Sequence, residues 1–132
     1  MNHRTLGKSA LQVSELCLGT MMFGDQTDIT EARRITEHAL AQGVNFIDTA
    51  DVYSTGGSET MVGELLQGQR HDWVLATKLG NRMGDAPNRM RYSRRWVMQA
   101  NEASLQRLGT DHIDIYYLHR DFNGMDLEEP LL

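Results

Sequence analysis

Short apolar runs typical of β-strands alternate along this chain with segments of helical periodicity, and this alternation constrains the fold more than any other feature. The four main runs are Glu15–Leu18, Val44–Asp48, Trp73–Lys78 and Ile113–His119. Strands separated by single helices are typical of parallel βαβ units, in which each helix crosses back over the sheet. The alternation therefore predicts an α/β fold built on a parallel sheet.

Local signals mark where the predicted helices begin and end. In the first helix, Asp28 and Glu31 have the spacing of a capping box, and Gly43 provides the stop. Each predicted helix is followed at once by one of the apolar runs. The predicted helices are Ile29–Gln42, one from near Ser58 to Gly68, and one from after Ser93 to Gly109.

The two ends of the chain add smaller elements. Arg4–Leu6 and Leu11–Val13 flank a turn at Gly7 and predict a leading hairpin. The last residues, Asp126–Leu132, resemble the start of a fourth helix. Neither element carries a predicted functional role.

A repeat of this kind fits either an open, doubly wound sheet or a closed barrel. A nucleotide-binding open sheet is expected to carry a glycine-rich phosphate loop after a strand. The glycines in LGTMMFGDQ (residues 18–26) match neither GxGxxG nor the Walker pattern. The missing signature favours a barrel.

Polar residues follow each of the four strands, which is where the catalytic groups of a barrel stand. The strands end at Gly19-Thr20, Asp48, Lys78 and His119. Each alone has an ordinary structural explanation, such as a capping aspartate or a solvated lysine, but three such side chains at successive strand ends favour one shared site. Because side chains alternate along a strand, the apolar neighbours on the same faces are Phe46 and Val44, Ala76 and Val74, and Tyr117 and Ile115.

Lys78 and Tyr53 give this site its chemistry. The chain has eleven arginines and only two lysines, one of which ends a predicted buried strand. A carboxylate buried at a strand end needs a cation, so Lys78 is the expected partner of Asp48. Tyr53 lies five residues after Asp48, and an ammonium beside its phenol would favour the phenolate and make the hydroxyl a usable proton donor.

These segments resemble the aldo-keto reductase family. FIDTADVYSTGGSETMVGELL is similar to the family's aspartate and tyrosine segment, WVLATKLG to its lysine strand, SLQRLGTDHIDIYYLHRD to its histidine strand, and LGTMMFG to the segment after its first strand. The resemblance covers essentially the whole chain. It implies a (β/α)8 TIM barrel to which this chain supplies an N-terminal hairpin and roughly the first four β/α units.

The resemblance implies an oxidoreductase that uses NADPH to reduce aldehydes or ketones. Tyr53 would donate the proton, Lys78 would activate Tyr53, Asp48 would hold Lys78, and His119 would orient the carbonyl group. Physical chemistry agrees, because hydride arrival creates an alkoxide that needs both a proton and a hydrogen-bond donor.

The resemblance also implies which residues contact the cofactor, NADP(H). They are Gly19, Thr20, Met21, Gln26 and Asp48, with the looser loop spacing making Gln26 the weakest assignment. Residues that hold the adenosine phosphate would lie outside these 132 residues.

The chain differs from the family in length. A complete barrel has about 250 residues or more, whereas residues 1–132 form a single predicted domain that ends just after the fourth strand. Four parallel strands leave two unpaired edges. We therefore expect the chain to be an incomplete product or to need a missing C-terminal half or a complementing chain.

Two other functions remain open. Lysines at barrel strand ends also serve as Schiff-base nucleophiles, so a lyase using Lys78 is one alternative. A non-catalytic, cofactor-binding regulatory subunit of the same fold is the other, since some members of the resembling family act in this way.

A run of arginines follows the third strand. The five are Arg82, Arg89, Arg91, Arg94 and Arg95. They could attract an anionic substrate or form part of a solvated surface, and the pattern favours the solvated surface.

Composition excludes several other classes. The net charge of −5 argues against a nucleic-acid partner, and no apolar run has the roughly 20 residues of a membrane span. The N-terminus lacks a secretory signal and Cys17 is the only cysteine, so we expect a cytoplasmic protein in which Cys17 is a buried small hydrophobe. No metal site is predicted, because no ligand spacing connects the histidines other than His119, which are His3, His38, His71 and His112.

Overall fold

The strands form a small hairpin and one parallel sheet. The computed structural model describes residues 1–131. β1 (His3–Thr5) and β2 (Gln12–Ser14) pair antiparallel. The remaining strands form a parallel sheet in the order β3–β4–β5–β6, so that each pairs with its successor along the chain. These strands are β3 (Leu18–Gly19), β4 (Phe46–Asp48), β5 (Val74–Leu79) and β6 (Ile115–Leu118).

Three helices connect successive strands of this sheet, and a fourth, short helix follows the last described strand. They are α1 (Ile29–Ala41), α2 (Gly57–Leu65), α3 (Arg94–Leu108) and the short α4 (Glu128–Leu131), with 3₁₀ turns at Tyr53–Gly56 and Arg70–Asp72. Leu132, the last residue of the predicted fourth helix, lies outside the described residues. Across residues 1–131, no helix has the length and apolar character needed to cross a membrane.

Side-chain caps fix the starts of α1 and α3. Asp28 accepts a hydrogen bond from the Glu31 amide, and Ser93 accepts one from the Trp96 amide, so both helices begin where the sequence predicts. Gly109 ends α3 in the left-handed conformation, at φ +60°. α2 ends at Leu65, before the predicted stop at Gly68, because residues 66–68 form a turn.

The prediction for the first parallel strand is wrong in its bounds. Only Leu18 and Gly19 pair with β4, whereas the sequence places the strand over Glu15–Leu18. The Glu15 amide donates to the Asn2 carbonyl, and its carboxylate pairs with Arg4 at 2.5 Å. The hairpin therefore holds Glu15 and delays the start of the sheet.

The two faces of the parallel sheet differ in their surroundings. Ile47 and Leu75 are fully buried against the helices and belong to the main apolar core. The opposite face carries Phe46, Lys78 and Tyr117, of which Tyr117 is 39% exposed. This opposite face is the one that the strand alternation assigns to the site residues.

The prediction that Cys17 is buried is wrong. It is exposed rather than buried, and it lies next to Phe46 on the open face of the sheet. The apolar run around it suggested a core position, but the neighbouring Leu16 is also 62% exposed. Of this run only Leu18 belongs to the strand and packs against the core, whereas Cys17 lies on the open face of the sheet.

Candidate active site

Three strand ends and one loop bring the candidate residues together. Asp48 ends β4, Lys78 is the penultimate residue of β5, and His119 directly follows β6. Tyr53 begins the 3₁₀ turn after β4. Because the strands are parallel and adjacent, their carboxyl ends meet at one edge of the sheet.

Lys78 is the centre of this cluster. Its Nζ donates to Asp48 Oδ2 at 2.6 Å, to the Thr49 carbonyl oxygen at 2.8 Å and to the Tyr53 hydroxyl at 3.1 Å. These contacts use all three N–H donors of an ammonium. The Lys78 side chain is 15% exposed, so the ion pair with Asp48 is partly shielded from solvent.

The His119 ring contacts the ring of Tyr53. The two ring centroids are 5.8 Å apart in an edge-to-face arrangement, and Lys78 Nζ lies 4.7 Å from the Tyr53 ring centroid. Burial lowers the pKa of His119, and the nearby Lys78 ammonium lowers it further. The imidazole is therefore held neutral near pH 7, with one N–H donor.

The loop that carries Tyr53 has an unusual backbone. Ser54 and Thr55 both have φ of +51°, a left-handed conformation that non-glycine residues rarely adopt. Backbone hydrogen bonds secure the start of this loop, from the Thr49 amide to the Ala76 carbonyl at 3.0 Å and from the Asp51 amide to the Lys78 carbonyl at 3.2 Å. The strained turn therefore stands on a backbone fixed to β5.

Ser58 supports the same loop from beneath, a role that its position in the sequence does not predict. Its hydroxyl donates to the Thr20 carbonyl at 2.8 Å and lies within hydrogen-bond distance of the Thr20 and Thr49 hydroxyls. Thr20 also donates to the Asp48 carbonyl at 2.9 Å. All three hydroxyls are buried, and in the sequence Ser58 reads only as a helix start.

Two cavities flank Asp48. One, of about 400 Å³, is lined by Gly19, Thr20, Met21, Asp48 and Tyr53 among others. The other, of about 520 Å³, is lined by Cys17, Phe46, Lys78, Tyr117 and His119 among others. Gln26, a predicted cofactor contact, lines neither cavity, and the hydroxyl of Thr20 is already committed to Asp48 and Ser58.

Asp51 is a second residue whose environment the sequence does not predict. It is 1% exposed, and neither carboxylate oxygen has a hydrogen-bond partner in the part of the chain that the structure describes. Burial raises the pKa of Asp51 to about 7, and the neighbouring Glu59 carboxylate contributes, against the opposing effect of Arg107. Glu59 itself is paired with Arg107 at 2.6 Å.

The arginine run does not converge on the Lys78 cluster. None of its five members lines either cavity beside Asp48. Arg89 instead lines a separate cavity with Asp51 and Trp96, and Arg91 lies over the Phe122 ring. The positions of these arginines among the described residues therefore favour the solvated surface over the anionic-substrate alternative.

The histidines outside the cluster lie elsewhere. His71 and His112 stack with ring centroids 6.1 Å apart and line a cavity of about 530 Å³ beside the ends of α2 and α3. Residues 1–131 contain no group of three or more metal-ligating side chains suited to an ion.

Comparison with known proteins gives one consistent family. The model of the aldo/keto reductase family matches residues 15–131. An uncharacterized oxidoreductase of Bacillus subtilis, YqkF, is 43% identical over 121 residues, which cover 90% of this chain and 39% of the relative. A probable voltage-gated potassium channel subunit beta of Arabidopsis thaliana is 38% identical over 137 residues, which cover 99% of this chain and 41% of the relative.

Solved structures lead to the same family. The holo form of the aldo-keto reductase AKR11C1 from Bacillus halodurans superposes with a TM-score of 0.89 at 43% identity, covering 99% of this chain and 44% of that one. An aldo-keto reductase described as putative, from Pseudomonas aeruginosa, gives a TM-score of 0.81 at 39% identity, covering 92% of this chain and 47% of that one. The chain thus spans about two fifths of the length of the curated relatives that it matches.

Proposed function

The chain belongs to the aldo/keto reductase family, and on this premise we propose that the full-length protein is an NADPH-dependent oxidoreductase that reduces aldehydes or ketones to alcohols. The fold is that of the family's (β/α)8 barrel, to which these residues contribute the hairpin and roughly the first four β/α units. The observation that carries the proposal is the position of Lys78, whose ammonium contacts both the Asp48 carboxylate and the Tyr53 hydroxyl.

The proposed roles follow from this contact. Tyr53 donates its hydroxyl proton to the carbonyl oxygen of the substrate, and Lys78, 3.1 Å away, stabilises the negative charge left on the phenol oxygen. Asp48 and the Thr49 carbonyl hold the Lys78 side chain in place. His119, held neutral by its surroundings, donates an N–H to the carbonyl oxygen and orients the group.

The residues at this edge of the sheet fit a nicotinamide ring. Gly19 leaves an open rim, since a Cβ built there would meet no atom within 4 Å. Asp48 lies between the two cavities, and Tyr117 presents an exposed aromatic ring on the same side as His119. A bound nicotinamide would supply the hydride. We assign its contacts to Gly19, Met21 and Asp48, with Thr20 contributing backbone atoms, and NADPH is the proposed form of the cofactor.

A regulatory role is the second candidate. Its support is the similarity to the Arabidopsis thaliana potassium channel subunit beta, which extends over 99% of this chain. A protein of this kind would bind NADPH without consuming it in the presence of a carbonyl substrate.

The Schiff-base lyase is less favoured, because all three N–H groups of the Lys78 ammonium are already used and no free amine is presented. We retain a cytoplasmic location as part of the proposal.

Oxidation of NADPH with 4-nitrobenzaldehyde tests the proposal. The full-length protein is compared with Tyr53→Phe, which removes the proton donor, and we expect kcat/KM to fall by about 100-fold or more. Tyr116→Phe is the matched control, because Tyr116 packs against α3 on the other face of β6, and its rate should stay within about twofold. Equal rates for the wild type and Tyr53→Phe would reject the assigned proton donor, and NADPH binding without turnover would favour the regulatory role.

A further inference from the structure

Tyr92, in the segment between β5 and α3, makes an unusual pair of hydrogen bonds to one backbone residue. Its hydroxyl donates to the Arg120 carbonyl oxygen at 2.5 Å and accepts from the Arg120 amide at 3.0 Å. Arg120 directly follows His119. Resting on the proposed function, we propose that Tyr92 is a positioning residue that fixes the His119 imidazole for the carbonyl group by holding the backbone at the end of β6.

The ring of Tyr92 also holds the end of β5. Gly80, two residues after Lys78, has φ of +120°, and a Cβ there would lie only 2.2 Å from the Tyr92 ring. The amide of Arg91, next to Tyr92, donates to the Gly80 carbonyl at 2.7 Å. Tyr92 is 1% exposed, so one buried side chain joins the ends of the two strands that carry Lys78 and His119.

His119 needs such support because its own ring is weakly tethered. Its Nδ1 is buried and has no hydrogen-bond partner among residues 1–131. The His119 amide donates to the Leu79 carbonyl at 2.9 Å, and the next backbone contacts along the chain are the two that Tyr92 makes with Arg120. The direction of the imidazole is therefore set by the backbone and by contact with Tyr53.

The residues after His119 pack on Tyr92 as well. The Phe122 ring centroid lies 5.4 Å from that of Tyr92, and the Arg120 guanidinium lies 5.0 Å from the Phe122 ring. This second contact offers a way to separate loss of the hydroxyl from general loosening of the segment. Phe122→Leu weakens the packing but leaves both Tyr92 hydrogen bonds intact.

The decisive variant is Tyr92→Phe, which keeps the ring against Gly80 and removes only the hydroxyl. In the full-length protein we expect kcat for 4-nitrobenzaldehyde to fall by about 10-fold to 100-fold with KM for NADPH unchanged, because a misplaced donor weakens the transition state rather than cofactor binding. In NMR titrations the pKa of His119 should rise, since a looser imidazole is less buried. Tyr116→Phe and Phe122→Leu should each retain kcat within about twofold.

Other outcomes would overturn the proposal. An unchanged kcat for Tyr92→Phe would do so, as would an equal loss in Tyr116→Phe or a reduced kcat with an unaltered His119 titration. If Tyr92→Phe is too unstable to assay, hydrogen exchange in the wild type decides. If Tyr92 holds this backbone, the Arg120 amide exchanges as slowly as the His119 amide. Faster exchange of the Arg120 amide would overturn the proposal. The titration and the exchange need no turnover, so they test Tyr92 even if the proposed reductase activity fails.

Discussion

Replacing Asp51 by asparagine should make the protein more stable at high pH. The side chain is 1% exposed and unpaired, and Glu59 is a negatively charged neighbour. Asparagine has nearly the same shape as the protonated acid and cannot ionise. The variant therefore removes the cost of burying a charge while leaving the packing largely unchanged.

The size of the effect follows from the pKa of Asp51, which burial raises from 3.8 to about 7. The folded state holds this proton more tightly than the unfolded state. The contribution of Asp51 to the free energy of unfolding of the wild type is therefore greatest below pH 4, and it is lost as the pH rises to 7. At about 1.4 kcal/mol for each pKa unit, the full difference is roughly 4 kcal/mol. Above pH 7 Asp51→Asn should exceed the wild type in stability by up to that amount.

Urea unfolding of the full-length protein at several pH values between 4.5 and 8.5 measures this difference. We expect the two proteins to have similar free energies of unfolding at the acidic end and to diverge steadily up to neutral pH. Asp25→Asn is the matched control, because Asp25 is exposed and the same substitution there changes no buried group. A constant difference between Asp51→Asn and the wild type across the pH range would refute the argument.

Two further predictions concern the helices under the site. Ser58→Ala should lower the free energy of unfolding by about 1–3 kcal/mol, since it leaves the buried Thr49 hydroxyl without its side-chain partner and removes the hydrogen bond to the Thr20 carbonyl; a loss below about 0.5 kcal/mol in urea unfolding would contradict this. Gly63→Ala should cost about 1–3 kcal/mol although alanine is the better helix former, because the new Cβ would lie 2.5 Å from the Leu108 carbonyl oxygen. A higher melting temperature for Gly63→Ala would show that α2 and α3 can separate freely at this point.

Helix starts were predictable from the sequence because their signals are local. Asp28 and Ser93 cap amides only three residues away, and Gly109 ends α3 through its own backbone conformation. A window of a few residues contains all of this information. The alternation of helices with apolar runs then suffices for a parallel sheet, and the resemblance to a known family decides between an open sheet and a barrel.

Strand bounds were less predictable because a strand exists only through its partner. Glu15 and Cys17 lie in an apolar run of strand-like composition, but Glu15 is bonded to Arg4, 11 residues away, and is withheld from the sheet. Cys17 is exposed because it lies on the open face of the sheet, beside Phe46. No property of the run itself reveals that the hairpin competes for its first residue.

The contrast between Asp48 and Asp51 shows what the sequence could not supply at the site. The two aspartates are three residues apart in one motif, and both follow an apolar strand. Asp48 pairs with Lys78, 30 residues later, whereas Asp51 is buried without a partner and beside the Glu59 carboxylate. The residue type and its place at a strand end identify candidates for proton chemistry, but the partners of each carboxylate are brought in by other strands and helices. Distinguishing the paired acid from the unpaired one therefore requires the folded geometry.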